Sequence, residues 1–287
     1  MSSWRLVATL FLFSHSAFVA AGEMRYAASL HQSYWEVNAS RLHCSLSHDI
    51  PAYGRAVFER SAGGELDFRL EVWRRPHQVG VARLLSTAPA WKHDSRVRDL
   101  GQVSYAVERS PFQLRGIMAR RLLLELERGM FPTFSYQDWA DGRDEIRVAL
   151  SAVNIRGALQ EFLHCLDNQL PYTYDDVRDS RIIFGFDSTE LSAAARQRLE
   201  QIADYLLEDP AVRKVVLEGR TDSTGYRRYN QALAQRRVEA VRGYLAARGV
   251  APGQFATRTR GERRPLASNR TPQGRALNRS VQVTLTK

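Results

Sequence analysis

Two charged residues in the C-terminal third sit in the setting richest in chemistry. Asp222 lies in Gly219-Arg-Thr-Asp-Ser-Thr-Gly225, and Arg237 lies further on, in Tyr229-Asn-Gln-Ala-Leu-Ala-Gln-Arg-Arg-Val238. The first segment follows an apolar run and opens a long helical pattern. Its backbone amides and the helix N-terminus favour an anionic group, while the Asp222 carboxylate is a natural partner for an ammonium. On that helix Asn230, Leu233, Arg237 and Val241 share one stripe. An arginine on an otherwise apolar stripe needs a partner, because an unpaired buried charge is very costly. Two readings follow. Asp222 and Arg237 form a structural salt bridge, or they wait for a zwitterion whose carboxylate meets the arginine fork and whose ammonium meets the aspartate. Buried pairs are rarely kept for stability, which leaves the second reading open.

The elements around this pair alternate strand and helix. Arg181 to Phe186 reads as an apolar strand, and Ser192 caps a helix through Glu208 whose inner face is Leu199, Ile202, Ala203 and Leu206. Lys214 to Glu218 is a second strand, and Tyr226 to Arg248 a long helix stopped by Gly249. Phe255 to Arg260 and Ser280 to Leu285 complete the set, separated by a loop rich in Asn, Pro and Gly from Gly261 to Arg275. The order is βαβαββ, with helices on one face of a mixed sheet.

The preceding part reads as β-rich, which makes the whole chain α+β. Ala56 and Phe58 alternate with polar residues, Ser61-Ala-Gly-Gly64 makes a turn, and Leu66, Phe68, Leu70 and Val72 alternate again, as a hairpin does. Further strands are expected at Val79–Leu85, Val103–Val107 and Ile146–Ala152. A helix is expected from Arg156 to Asn168, while Arg115 to Arg128 fits helix or strand. The expected division is 1–22 as a secretory leader, 23–170 as the β-rich domain, 171–179 as a polar connection and 180–287 as the second domain.

The leader has Arg5, an apolar run from Leu6 to Phe13, and small residues at Ala17, Ala20, Ala21 and Gly22, with cleavage after Ala21 or Gly22. The apolar run is shorter than the ~20 residues of a spanning helix, and no cysteine follows to take a lipid. A soluble, exported chain is the expectation. Export permits a disulfide between the two cysteines, Cys44 and Cys165. The rival is a metal site built from His43-Cys44 and His164-Cys165, an awkward one because adjacent side chains diverge. The oxidising compartment favours the disulfide.

Charge is unevenly placed. Of 41 Lys+Arg and 31 Asp+Glu, 20 and 10 fall from Ser180 onward, so the second domain holds the entire +10. In an exported chain this points to an anionic polymer or surface of the envelope and not to nucleic acid. No His-Glu-x-x-His, Gly-x-Ser-x-Gly or Gly-x-Gly-x-x-Gly occurs, and all histidines precede Ser180. The expectation is a binding protein with no enzymatic activity, no metal and no cofactor.

Four ordered segments resemble the OmpA-like peptidoglycan-binding family. They are Phe184-Gly-Phe-Asp-Ser-Thr-Glu-Leu-Ser192, the Thr221-Asp222 loop, the Tyr229–Val238 helix segment and Gly274-Arg-Ala-Leu-Asn-Arg-Ser-Val281. The resemblance implies that Asp222 and Arg237 hold the amino and carboxylate groups of diaminopimelate in the stem peptide. It places Thr221, Asn230 and Leu233 in the pocket lining, with Arg279 in support. Arg220 and Ser280 depart from the pattern, where a histidine or aromatic residue and a second arginine are usual. The whole chain also resembles the MotY family of periplasmic flagellar-motor proteins: leader, β-rich first domain, one cysteine early and one before the junction, OmpA-like domain last. That implies a non-enzymatic periplasmic wall anchor that steadies stator units around the basal body and supports torque. Its implied partners are peptidoglycan, stator and basal-body ring proteins, with assembly into a ring. The rivals are a generic envelope linker of the Pal or OmpA kind and a MotB-like stator subunit, the latter requiring an uncleaved membrane helix.

Overall fold

The computed structural model describes residues 22–93, 96–140 and 142–287; the expected leader at 1–21 lies outside the described residues. The first domain runs β1 (Glu23–Tyr26), β2 (Trp35–Ala39), β3 (His43–Ile50), β4 (Gly54–Ser61), β5 (Asp67–Val72), β6 (Gly80–Thr87), β7 (Arg98–Tyr105), β8 (Phe112–Arg115), α1 (Ile117–Glu127), β9 (Phe131–Gln137), β10 (Glu145–Ala149) and α2 (Ile155–Asn168). The strands form two five-stranded sheets, ordered β1-β10-β9-β6-β7 and β2-β3-β4-β5-β8. The hairpin expected at Ser61–Gly64 joins β4 to β5, with Phe58 opposite Phe68 and Gly63 at φ 69° in the turn.

Both sheets turn their apolar faces to one core. Phe58, Phe68 and Leu70 from one sheet meet Leu84, Phe134 and Val148 from the other, and the Phe68 and Phe134 rings stack at 5.8 Å. The segment that fitted helix or strand is helix α1, because Ala119, Leu122, Leu123 and Leu126 all reach the core at helical spacing. Cys44 on β3 and Cys165 on α2 are disulfide-bonded, with Cα atoms 6.0 Å apart. With the two sulfurs joined to each other, neither is available as a thiolate ligand for the Cys/His rival.

The second domain runs α3 (Tyr174–Val177), β11 (Asp179–Ile183), α4 (Ala193–Glu208), β12 (Lys214–Arg220), α5 (Arg227–Ala246), β13 (Phe255–Gly261), α6 (Pro272–Asn278) and β14 (Ser280–Thr286). Its sheet is ordered β11-β14-β12-β13. β12 and β13 are parallel and the other pairings antiparallel, so the sheet is mixed as expected. Ser192 caps α4 by accepting the Ala195 N–H at 3.2 Å, and Gly249 follows α5 at φ 96°.

Two segments differ from the sequence reading. The polar connection 171–179 carries the short helix α3, fixed by a reciprocal Thr173–Asp176 capping box, and Val177 is fully buried. The loop 261–275 ends in α6, with Pro272 in its first turn and Thr271 capping Gly274 N–H. Ala62 and Leu170 of the first domain pack into the same cluster as Val177, Ile182 and Leu199 of the second.

Candidate binding cleft

The Asp222 loop leaves the C-terminal end of β12 beside the first turn of α5. A register shift at Gly219/Arg220 loosens β12 from β13 here. Gly219 lets α5 come close: a Cβ on it would stand 2.6 Å from the Ala234 carbonyl oxygen. Thr221 N–H donates to the Gly261 carbonyl at 2.9 Å, tying the loop to the end of β13. The result is a small cleft of about 120 Å³.

All six residues singled out in the sequence line this cleft: Thr221, Asp222, Asn230, Leu233, Arg237 and Arg279. Their partners are not the expected ones. Asp222 and Arg237 form no direct salt bridge among the described residues; Asp222 Oδ2 pairs instead with Arg279 Nη1 at 3.1 Å, while its Oδ1 accepts the Thr224 N–H at 3.1 Å. Arg237 is fully buried and is satisfied by main chain. Nε donates to Ser188 O at 2.8 Å, Nη2 to Gly185 O at 2.9 Å and Nη1 to Arg220 O at 3.3 Å. Its guanidinium also lies 5.2 Å from the Phe184 ring centroid. Arg237 thus joins the loop after β11 to the end of β12. The structural reading of a paired Asp222–Arg237 is replaced by a cation held by carbonyl dipoles.

Burial pushes the Arg237 guanidinium down to about 10, a shift that the nearby Asp222 carboxylate opposes; at neutral pH it is still charged. Each nitrogen uses one N–H on a carbonyl, so Nη1 and Nη2 each keep a further N–H without a protein acceptor among the described residues. Thr221 Oγ1 is likewise buried with no partner among them. Asn230 donates to Glu262 Oε2 at 2.8 Å, and Leu233 supplies an apolar floor.

Asp187 and Tyr229, hydrogen-bonded to each other, also line the cleft with Phe186. They stand inside the quoted motifs, yet their types alone assign them no role; only the return of the β11 loop beside α5 does. The two departures from the family pattern are accounted for. Arg220 turns its guanidinium to Glu218, which also pairs with Arg260 at 3.1 Å. Ser280 is buried and donates to Leu277 O at 2.9 Å, closing the end of α6.

With this geometry in view, the likeness to known proteins can be placed on it. A family model described as the MotY N-terminal domain matches residues 26–171, and the OmpA family model matches 183–279. The sodium-type flagellar protein MotY of Vibrio parahaemolyticus is 33% identical over 290 residues, covering 99% of this chain and 98% of that protein. The chain belongs to the MotY family.

Other relatives match over about a third of the chain. Outer membrane protein A of Bordetella avium is 36% identical over 102 residues, 36% of this chain and 52% of that protein. The peptidoglycan-associated lipoprotein of Pseudomonas putida is 41% identical over 100 residues, 35% and 59% respectively. A crystal structure of the Burkholderia pseudomallei peptidoglycan-associated lipoprotein aligns over 37% of this chain and 89% of that one, at 32% identity and a TM-score of 0.35. The MotY assignment therefore rests on the full length, and the cleft lies within the OmpA-family portion. As a MotY-family member the chain is a structural protein, not an enzyme.

Proposed function

We propose that the cleft holds the diaminopimelate end of a peptidoglycan stem peptide and that the second domain thereby fastens the chain to the wall, with no bond made or broken. The observation that carries this is the buried, charged Arg237, whose remaining N–H groups have no protein acceptor, beside a carboxylate pair partner in the same cleft. Two guanidiniums, Arg237 and Arg279, and two carboxylates, Asp187 and Asp222, line it. A site of balanced charge suits a ligand that is neutral overall but bears both signs. Asp222 takes the ammonium, Arg237 and Arg279 the carboxylate, and Thr221 Oγ1 completes the polar contacts. The cleft's small volume admits one amino-acid head group and not a sugar chain.

In this reading the mature chain is periplasmic after loss of a leader near 1–22. The 23–170 domain meets the motor, steadying stator units beside basal-body ring proteins, and the 180–287 domain meets the wall. Full-length similarity to a flagellar MotY supports this over a generic envelope linker.

The test is pull-down on purified sacculi with Asp222→Asn, which preserves the Thr224 contact, and Arg279→Gln. Both are expected to stay folded at assay temperature, as read by circular dichroism, and to lose most sacculus binding. Undiminished pull-down by both refutes the cleft assignment. For the motor role, a deletion strain is expected to swim poorly and recover with the wild-type chain but not with Asp222→Asn.

A further inference from the structure

The second domain's surplus of positive charge is not consumed in the cleft. A far larger groove, about 940 Å³, lies between α5 and the end of β13. Arg227 and Arg228 in the first turn of α5 form one wall; Arg260, Arg263 and Arg264 form the other. Arg260 is paired with Glu218. Glu262, the carboxylate nearest in sequence to Arg263 and Arg264, is turned away to Asn230 at 2.8 Å. Arg227, Arg228, Arg263 and Arg264 are exposed, and their side chains make no hydrogen bond or ion pair among the described residues. Arg248 and Arg242 of the same domain pair with Glu200 and Glu239, whereas Arg181, Arg213, Arg258 and Arg270 are exposed without a carboxylate among the described residues; what sets the groove apart is that four such arginines share one concavity.

Four unpaired like charges around one concavity repel one another and focus a positive potential into it. A solvated face of mixed charge has neither property. The groove and the cleft share no lining residue but lie on neighbouring faces at the start of α5. Asn230 lines the cleft and Gln231, the next residue of α5, lines the groove; Glu262, bonded to Asn230, precedes the groove's Arg263. A polymer that continues from the cleft around the first turn of α5 meets these arginines.

We infer that this groove is a second anion site for the same polymer, taking carboxylates of the wall stem peptides that flank the residue in the cleft or belong to a neighbouring stem. The inference rests on the wall-binding reading above. The cleft selects one head group by matching both signs in a desolvated setting. The groove adds affinity of a different kind: long-range, tolerant of exact position, and screened by salt.

The experiment uses the full chain and a variant carrying Arg227→Gln, Arg228→Gln, Arg263→Gln and Arg264→Gln, exposed positions where glutamine maintains helix and turn. Three measurements are made: binding of free diaminopimelate, co-sedimentation with sacculi across a salt series, and binding to phosphatidylglycerol vesicles. Diaminopimelate binding is expected to be equal for both chains. Sacculus binding at low salt is expected to fall roughly tenfold in the variant, with a flatter salt dependence, as when interface rim charges are removed. The inference is overturned if the variant matches the wild type on sacculi at every salt concentration. It is equally overturned if only vesicle binding is lost, since the groove then serves a phosphate-bearing membrane. Failure of the wild type to bind either diaminopimelate or sacculi sinks the wall reading itself, a result distinct from both.

Discussion

In the first domain, the buried polar side chains are dispersed and each finds a close partner for at least one atom, although His48 Nε2 is left without one. Ser33 donates to Ser151 at 3.0 Å, Ser86 to Glu125 at 2.6 Å, and His48 Nδ1 meets Tyr34 O at 2.8 Å. In the second domain, Thr221, Asp222, Asn230 and Arg237 are all buried around one cleft, and two of them retain unused donors. Dispersed pairs tie strands together. Gathered polar groups with spare capacity cost stability and make sense only if something else completes them. The first domain adds a covalent tie, and the second has no cysteine.

The largest test of this contrast is removal of that tie. Cys44→Ala with Cys165→Ala should destabilise the first domain by about 2–5 kcal/mol, as for other secreted domains, while sacculus binding by the second domain persists. An unchanged melting temperature would place the first domain's stability wholly in its core. Next in size is Arg237→Met, which leaves the Ser188 and Arg220 carbonyls without a donor and Gly185 O with only the long Ser188 N–H contact at 3.4 Å. A loss of about 3 kcal/mol is expected from such buried groups, read by urea denaturation of the second domain, together with loss of wall binding. Stability equal to the wild type would mean that the guanidinium is not structural, and the contrast would break.

A pH series separates the domains further. Burial holds His48 below its ordinary 6.5, so the folded first domain keeps the ring neutral while the unfolded chain takes up a proton. The stability this provides is complete above pH 6.5 and is lost as pH falls through the lower folded value. Between pH 7 and 5 the first domain's melting temperature should drop, and His48→Gln should flatten the response. The second domain has no histidine and should not share it. The smallest effect is expected for Arg41→Ala, which breaks the solvent-exposed contact to Glu208 at 3.4 Å between domains. A change under about 0.5 kcal/mol is expected for such a surface pair, and a larger one would show the domains to be coupled more tightly than by packing.

How much was legible in the sequence follows from the same contrast. The second domain's helices are amphipathic and its strands short and apolar, so their order could be read directly, and all six cleft residues could be named. The choice of Arg279 over Arg237 as the Asp222 partner could not, because it depends on where α6 returns the chain. Helix α6 itself was hidden by Pro272 and Gly274, residues that ordinarily mark loops. Pro272 suits a helix's first turn, and Gly274 packs so closely that a Cβ would lie 2.0 Å from Ser268 O. In the first domain, β3 escaped because a histidine occupies one of its buried positions, between Leu46 and Ile50. β9 escaped because Pro132 through Tyr136 are all buried, leaving no alternation to see.

The position of the disulfide has a mechanical meaning. Cys165 lies on α2, a few residues before the chain crosses through Leu170 into the second domain. A pull between the two domains enters the first at that helix, where backbone tension would otherwise peel α2 away turn by turn. The link to Cys44 diverts the load sideways into β3, which is paired along its length to β2 on one side and β4 on the other. There the force must shear a whole sheet instead of unzipping one helix. Placed at the exit of the domain, the covalent bond acts as a strain relief, like the clamp where a cable leaves its housing.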